Sequence, residues 1–229
     1  MEQPFTAQIF LSDNRLMSGS PANRTYSTLS SGDKQNTHTD FSGLFVLDDE
    51  ELAGGGCVDL QPAVSCYLLL LPVTGDLLFS AEQRPFERLN VGELKIIRLE
   101  AAEKVQLTNP YEGDHVSFIR LMISVKPGDT IPCSSTHEFD LVTHQNQLLQ
   151  LSPAQLPFLI SLGRFQGRKE YTYQLQNCHN KLFCFVIAGA FELENRLLQM
   201  RDGLAISGLR AVELEALSEG ALLLTIELP

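Results

Sequence analysis

No stretch of these 229 residues approaches the roughly 18 consecutive apolar residues that a bilayer-spanning helix requires. Basic charge is scarce as well: 17 Lys and Arg stand against 28 Asp and Glu, for a formal net charge of −11. The basic residues are scattered and form no stripe, which argues against direct binding to nucleic acid and against docking on an anionic membrane. The opening MEQPFTAQIFLSDNR has neither the basic start nor the apolar core of a secretory signal, so a cytoplasmic protein is the expectation. The five cysteines (Cys57, Cys66, Cys133, Cys178, Cys184) include no Cys-x-x-Cys pair, and buried free thiols are expected.

Catalytic signatures are missing too. The five histidines (His38, His115, His137, His144, His179) form no His-x-His, and His137-Glu138 with Asp140 and His144 reads as solvated polar residues. There is no Gly-x-Ser-x-Gly elbow, and no cysteine has an evident base partner, so nucleophilic catalysis lacks support. Gly54-Gly55-Gly56 has no following helix to turn it into a phosphate cradle. Arg164, Arg168 and Lys169 beside Glu170 make one compact basic corner, read as a solvated turn between strands.

What the chain does have is one phrase used twice. From Phe183 to Ile206 an apolar run stops at Gly189, a short alternating segment follows, and Met200-Arg201-Asp202-Gly203 corners into Leu204-Ala205-Ile206. From Tyr67 to Ile97 an apolar run stops at Gly75, Asp76 to Phe79 follows, and Asn90-Val91-Gly92-Glu93 corners into Leu94 to Ile97. The glycine pairs 75/189 and 92/203 lie about 114 and about 111 positions apart, an offset that indicates internal duplication. Glycine at a reversal supplies positive φ, and period-two patterning buries one face of each strand.

Strands are expected over Gln8–Leu11, Phe41–Leu47, Cys57–Gln61, His115–Val125, Phe158–Gly163, Glu170–Leu175, Val212–Ala216 and Ala221–Leu228. Asp48 to Glu51 reads as an acidic turn, and the polar stretch from Ser12 to Asp40 reads as a surface wrap or a cover over an opening. Pro127-Gly128 is expected to end the His115 strand, and Ser152-Pro153 reads as a helix start. The domain reading is 1–130 for the first domain, 131–157 for a crossing segment and 158–229 for the main strands of the second. Even spacing of short strands implies an all-β chain, each half a jelly roll or sandwich.

Paired β-domains with this phrase resemble cupin barrels. The run Gly203 to Gly208, through Val212-Glu213-Leu214, to Ala221–Pro229 is similar to the end of the pirin-like bicupins, and Asp40–Gly56 and Asn90–Glu93 fit the first domain of that family. The resemblance implies two cupin-type jelly-roll β-barrels packed together, with few short helices. It also implies relatives that are iron-containing nuclear proteins influencing transcription, or enzymes resembling quercetin 2,3-dioxygenase. Pirins with metal carry a His-x-His and then a His-x-Glu. In this chain the first pair falls on Cys57 and Asp59, and the second on Val105 with Leu107 or on Leu107 with Asn109. Arg24-Thr25-Tyr26-Ser27 resembles a family segment that often ends in His, where Ser27 stands here.

Aliphatic side chains offer no lone pair to a divalent ion. The expectation is therefore a non-catalytic bicupin without metal, acting as a small-molecule-binding or protein-interaction module. Its pocket candidates are Cys57, Asp59, Val105, Leu107 and Asn109, its ligand a small aromatic molecule, and its state a monomer or weak dimer. The alternative is a quercetin 2,3-dioxygenase-like oxygenase holding iron, manganese or zinc. Metal-free acid–base chemistry on a sugar-like substrate is a third possibility, and no residue pair stands out for it.

Overall fold

The computed structural model describes residues 5–30, 40–82, 86–126, 129 and 134–229. The strands in chain order are β1 (Thr6–Phe10), β2 (Leu16–Ser20), β3 (Asn23–Ser30), β4 (Leu44–Leu52), β5 (Cys57–Leu60), β6 (Cys66–Thr74), β7 (Leu77–Ala81), β8 (Glu87–Leu89), β9 (Glu93–Leu99), β10 (Val105–Thr108), β11 (Val116–Ser124) and β12 (Ser134–Glu138). They continue as β13 (Leu149–Gln150), β14 (Leu159–Phe165), β15 (Glu170–Gln174), β16 (Lys181–Ala188), β17 (Phe191–Leu193), β18 (Arg196–Leu198), β19 (Gly203–Ser207), β20 (Ala211–Ala216) and β21 (Ala221–Leu228). Among the described residues the only helical element is a 3-10 turn at Ser12–Asn14. The helix expected at Ser152 is absent: the Ser152 hydroxyl accepts the Ile160 amide at 2.9 Å and closes a turn instead.

Residues 16–138 form one compact unit, and residues 1–15 with 139–229 form another. In the first, a seven-stranded sheet β12-β9-β6-β11-β4-β3-β2 goes with a four-stranded sheet β5-β10-β7-β8. In the second, a six-stranded sheet β1-β19-β16-β21-β14-β13 goes with a four-stranded sheet β15-β20-β17-β18. Matching β6 to β16, β9 to β19 and β11 to β21 makes the orders coincide. The opening strand β1 pairs with β19 as β12 pairs with β9. That pairing puts residues 1–15 with the C-terminal half, whereas the sequence reading kept them in 1–130.

The duplication is partly where the sequence suggests. Gly75 and Gly189 both sit at positive φ, +71° and +76°, and a Cβ would lie 2.6 Å from Val116 or 2.3 Å from the Ser218 hydroxyl. The second corner aligns differently. Asn90–Glu93 matches Gln199–Asp202: in each, a carboxylate accepts an amide three residues back, Glu93 from Asn90 and Asp202 from Gln199. The residue at positive φ is Gly92 in one and Arg201 in the other, so the true offset is about 109. Gly203 lies inside β19, where a Cβ would come within 3.0 Å of the Phe183 ring.

Two expectations fail in the first unit. Residues 16–30 form the β2–β3 hairpin rather than a wrap, with Leu29 fully buried. Asp48–Glu51 is no turn but the middle of β4, paired with both β3 and β11. Residues 31–39 of the proposed cover, His38 among them, and Pro127, Gly128 and Cys133 lie outside the described residues.

Candidate functional site

Strands β5 and β10 pair antiparallel, placing Val105 opposite Leu60, Gln106 opposite Asp59, Leu107 opposite Val58 and Thr108 opposite Cys57. Paired residues share a face, and alternate residues change face. One face therefore carries Leu60, Val105 and Leu107, part of a core cluster that includes Phe79, Phe118 and Met122, and the half-buried Val58, which packs against it. The other carries Cys57 and Asp59, both exposed, with Asp59 accepting the Gln106 amide at 3.0 Å.

The five candidates thus separate. Val105 and Leu107 are 1% and 0% exposed in the barrel interior, while Cys57 and Asp59 face outward. Asn109, 2% exposed, clamps a loop: its amide donates to the Leu52, Ala53 and Asp114 carbonyls, and its side-chain oxygen accepts the Tyr111 amide. On β5 the residues that share the interior with Val105 and Leu107 are Val58 and Leu60, one position away from Cys57 and Asp59. On the outer side an open cleft of about 480 Å³ is bordered by Asp59, Ser80, Glu82, Lys104 and Gln106.

The interior positions of β5 and β10 do not fit the iron implied by the family resemblance. Four aliphatic side chains present no basic lone pair at bonding distance. Among the described residues no group of three or more His, Cys, Asp or Glu is arranged to hold a metal ion. The expectation of buried free thiols holds for Cys66 and Cys184 and fails for Cys57 and Cys178, which are exposed. Burial pushes the Cys66 thiol up to about 12, which makes it inert at neutral pH.

Polar chemistry inside the first barrel comes from elsewhere. Lys95 of β9 is 4% exposed, reaches the Glu87 carboxylate at 2.5 Å and lies over the Phe79 ring. Arg120 of β11 pairs with Asp48 at 2.5 Å and Glu50 at 2.8 Å, both on β4. Thr25 of β3 donates to Glu50 at 2.7 Å, and Ser27 hydrogen-bonds Asp48. Register confirms one face: Arg120 is opposite Asp48, Asp48 is opposite Ser27, and Glu50 is opposite both Phe118 and Thr25. Burial raises the Asp48 and Glu50 carboxyls above their ordinary range, although Arg120 pulls both down. The sequence reading missed this triad because Arg120 lies 72 residues from Asp48.

In the second unit, the positions equivalent to the aliphatic four are Tyr171 and Tyr173 of β15 and Val212 and Leu214 of β20. The Tyr173 hydroxyl donates to Glu227 at 2.7 Å, and Glu227 also accepts from the Gln176 amide and the Asn180 side chain. Burial and the adjacent carboxylate raise the Tyr173 hydroxyl, so it stays protonated. In the basic corner, Arg168 is exposed and pairs with Glu215 at 3.0 Å. His137 bonds the Ser135 hydroxyl at 2.8 Å, and His144 bonds the Asp140 carbonyl at 3.0 Å.

Residues 158–228 match the family model described as the quercetinase C-terminal cupin domain. Across the whole chain the fold matches YhhW from Escherichia coli, with a TM-score of 0.84, 16% identity and 98% of each chain covered. A nickel(II) complex of the bacterial pirin YhhW matches at 0.82 and 15% identity, covering 98% of this chain and 99% of that one. Quercetin 2,3-dioxygenase from Acinetobacter baumannii matches at 0.72 and 13% identity, covering 97% of this chain and 78% of that one. No protein of curated function matches the sequence. The chain therefore has the fold of these bicupins, with a C-terminal cupin domain of the quercetinase type at residues 158–228.

Proposed function

We propose that this pirin-like bicupin is a non-catalytic binding or interaction module that works without a metal. One observation carries the reading: Val58, Leu60, Val105 and Leu107 converge where β5 and β10 face the barrel interior, and all four belong to or pack on one apolar core. Activating oxygen at such a place takes a redox-active ion, and these side chains give an ion nothing to bind. The filled interior favours recognition of a partner over the outer surface, such as the cleft beside Asp59 and Gln106, rather than of a ligand held within the first barrel.

The competing reading is an oxygenase similar to quercetin 2,3-dioxygenase, and it draws on the family match at residues 158–228. Oxygen uptake decides between them. The full chain is incubated with Fe(II), Mn(II) or Ni(II) and then given quercetin in a closed electrode cell. The module reading predicts uptake no faster than free metal alone, and metal-dependent, saturable uptake refutes it. A thermal-shift series with flavonols on the same sample tests the small aromatic ligand, since any molecule that binds only the native state raises its apparent stability.

A further inference from the structure

The Asp48–Arg120–Glu50 triad plays no part in the proposed function, and its composition is unusual for a barrel interior. Two carboxylates share one guanidinium, leaving one negative charge in excess, on side chains 5%, 1% and 13% exposed for Asp48, Glu50 and Arg120. Its bonding is incomplete: the Asp48 Oδ1 and Arg120 Nε atoms are buried without a hydrogen-bond partner. Among the described residues the neighbouring strands bring no second cation into contact with it. From β3 come only the Thr25 and Ser27 hydroxyls, from β6 comes Leu70, and β11 adds Phe118 and Met122. The facing four-stranded sheet contributes apolar Leu60, Phe79, Leu89 and Leu107. Lys95, on the same face of β9, is engaged by Glu87, and Asp49 on β4 adds further negative charge.

The triad also sits at the seam that joins the β2–β3 hairpin to the rest of its sheet. Within the sheet β3 pairs with β4 on one side and with β2 on the other, and every residue of β2 is exposed. The β3–β4 register slips between Ser27 and Leu29, beside the Ser27–Asp48 contact, and the inserted Thr28 buries a hydroxyl with no partner.

We propose that Asp48, Arg120 and Glu50 form a proton-operated latch on the β2–β3 hairpin, closed when one of the two carboxyls is protonated and loosened when both are ionised. With one proton bound, the triad is neutral and its burial is inexpensive. With none, a net charge lies in an apolar interior, and the cheapest relief is to let water in by lifting β3 from β4. The direction follows from linkage: both carboxyls are raised, so the folded chain keeps a proton the unfolded chain has released. The hairpin is held fully below the ordinary carboxylate range and is progressively lost as pH rises through the raised values.

Hydrogen exchange followed by mass spectrometry on the full chain tests this, from about pH 5 to about pH 9, with rates corrected for the intrinsic pH dependence of amide exchange. Peptides covering 23–30 report the hairpin, and peptides covering 66–74 give the reference within the same sheet. The latch predicts an opening constant for 23–30 that rises by up to about tenfold per pH unit while 66–74 stays flat. Asp48→Asn and Glu50→Gln each remove the excess charge, so in either variant the rise disappears. A wild-type hairpin with pH-independent protection overturns the latch, and so does a rise that persists in either variant. Oxygen uptake is not involved, so the outcome is independent of the functional reading above.

Discussion

Both units thread their strands in one order, yet they fill the same positions with different chemistry. Where β5 and β10 of the first place Val58, Leu60, Val105 and Leu107, β15 and β20 of the second place Tyr171, Tyr173, Val212 and Leu214. The buried acids differ as well. Glu227 in the second unit is saturated by a hydroxyl, a backbone amide and an Asn side chain, whereas Asp48 in the first keeps an unpartnered oxygen. A fully bonded buried carboxylate is a structural tie, and a partly bonded one is a site able to respond. The duplicated fold thus holds a fixed polar centre in one half and a labile one in the other.

Removing the cation exposes that contrast most sharply. Arg120→Met leaves two buried carboxylates without compensation and is expected to cost about 3–5 kcal/mol at neutral pH, with the loss shrinking as pH falls; urea unfolding at several pH values measures it. Leu107→Ala and Leu214→Ala, at equivalent interior positions, should each cost about 2–5 kcal/mol through cavity formation. A near-neutral result at Leu107 alone would mean that the first barrel interior is loosely packed. Tyr173→Phe removes one of the donors to Glu227 and is expected to cost about 1–3 kcal/mol, with little dependence on pH between about 5 and 8. At the small end, Cys57→Ala and Asp59→Ala sit on the outer face and should stay within about 0.5 kcal/mol of wild type. Cys57 and Cys178 should react promptly with a thiol reagent in the native state, while Cys66 and Cys184 react only on unfolding.

Much of the fold could be read before the structure, because positive-φ glycines and period-two runs are local signals. Gly75 and Gly189 mark equivalent turns for a reason any sequence carries: no Cβ fits there. Gly92 and Gly203 misled, since the chain puts Arg201 at the positive-φ position and uses Gly203 to admit the Phe183 ring. The candidate site was legible only in kind. Val105 and Leu107 stand in the interior, but Cys57 and Asp59 lie one residue out of phase with Val58 and Leu60, and in a strand one residue exchanges inside for outside. The acidic run at 48–51 reads as a turn because charges rarely sit on a buried strand; Arg120, which compensates Asp48 and Glu50, comes from a distant strand.

Metal content of the full chain, purified without chelator and measured by mass spectrometry against protein concentration, bears most directly on the claim that the first barrel interior binds no ion. The account predicts far less than one transition metal per chain, on the order of a tenth or lower, and a melting temperature that EDTA leaves unchanged. About one iron, manganese, nickel or zinc per chain, with a melting temperature that falls when it is stripped, would contradict it.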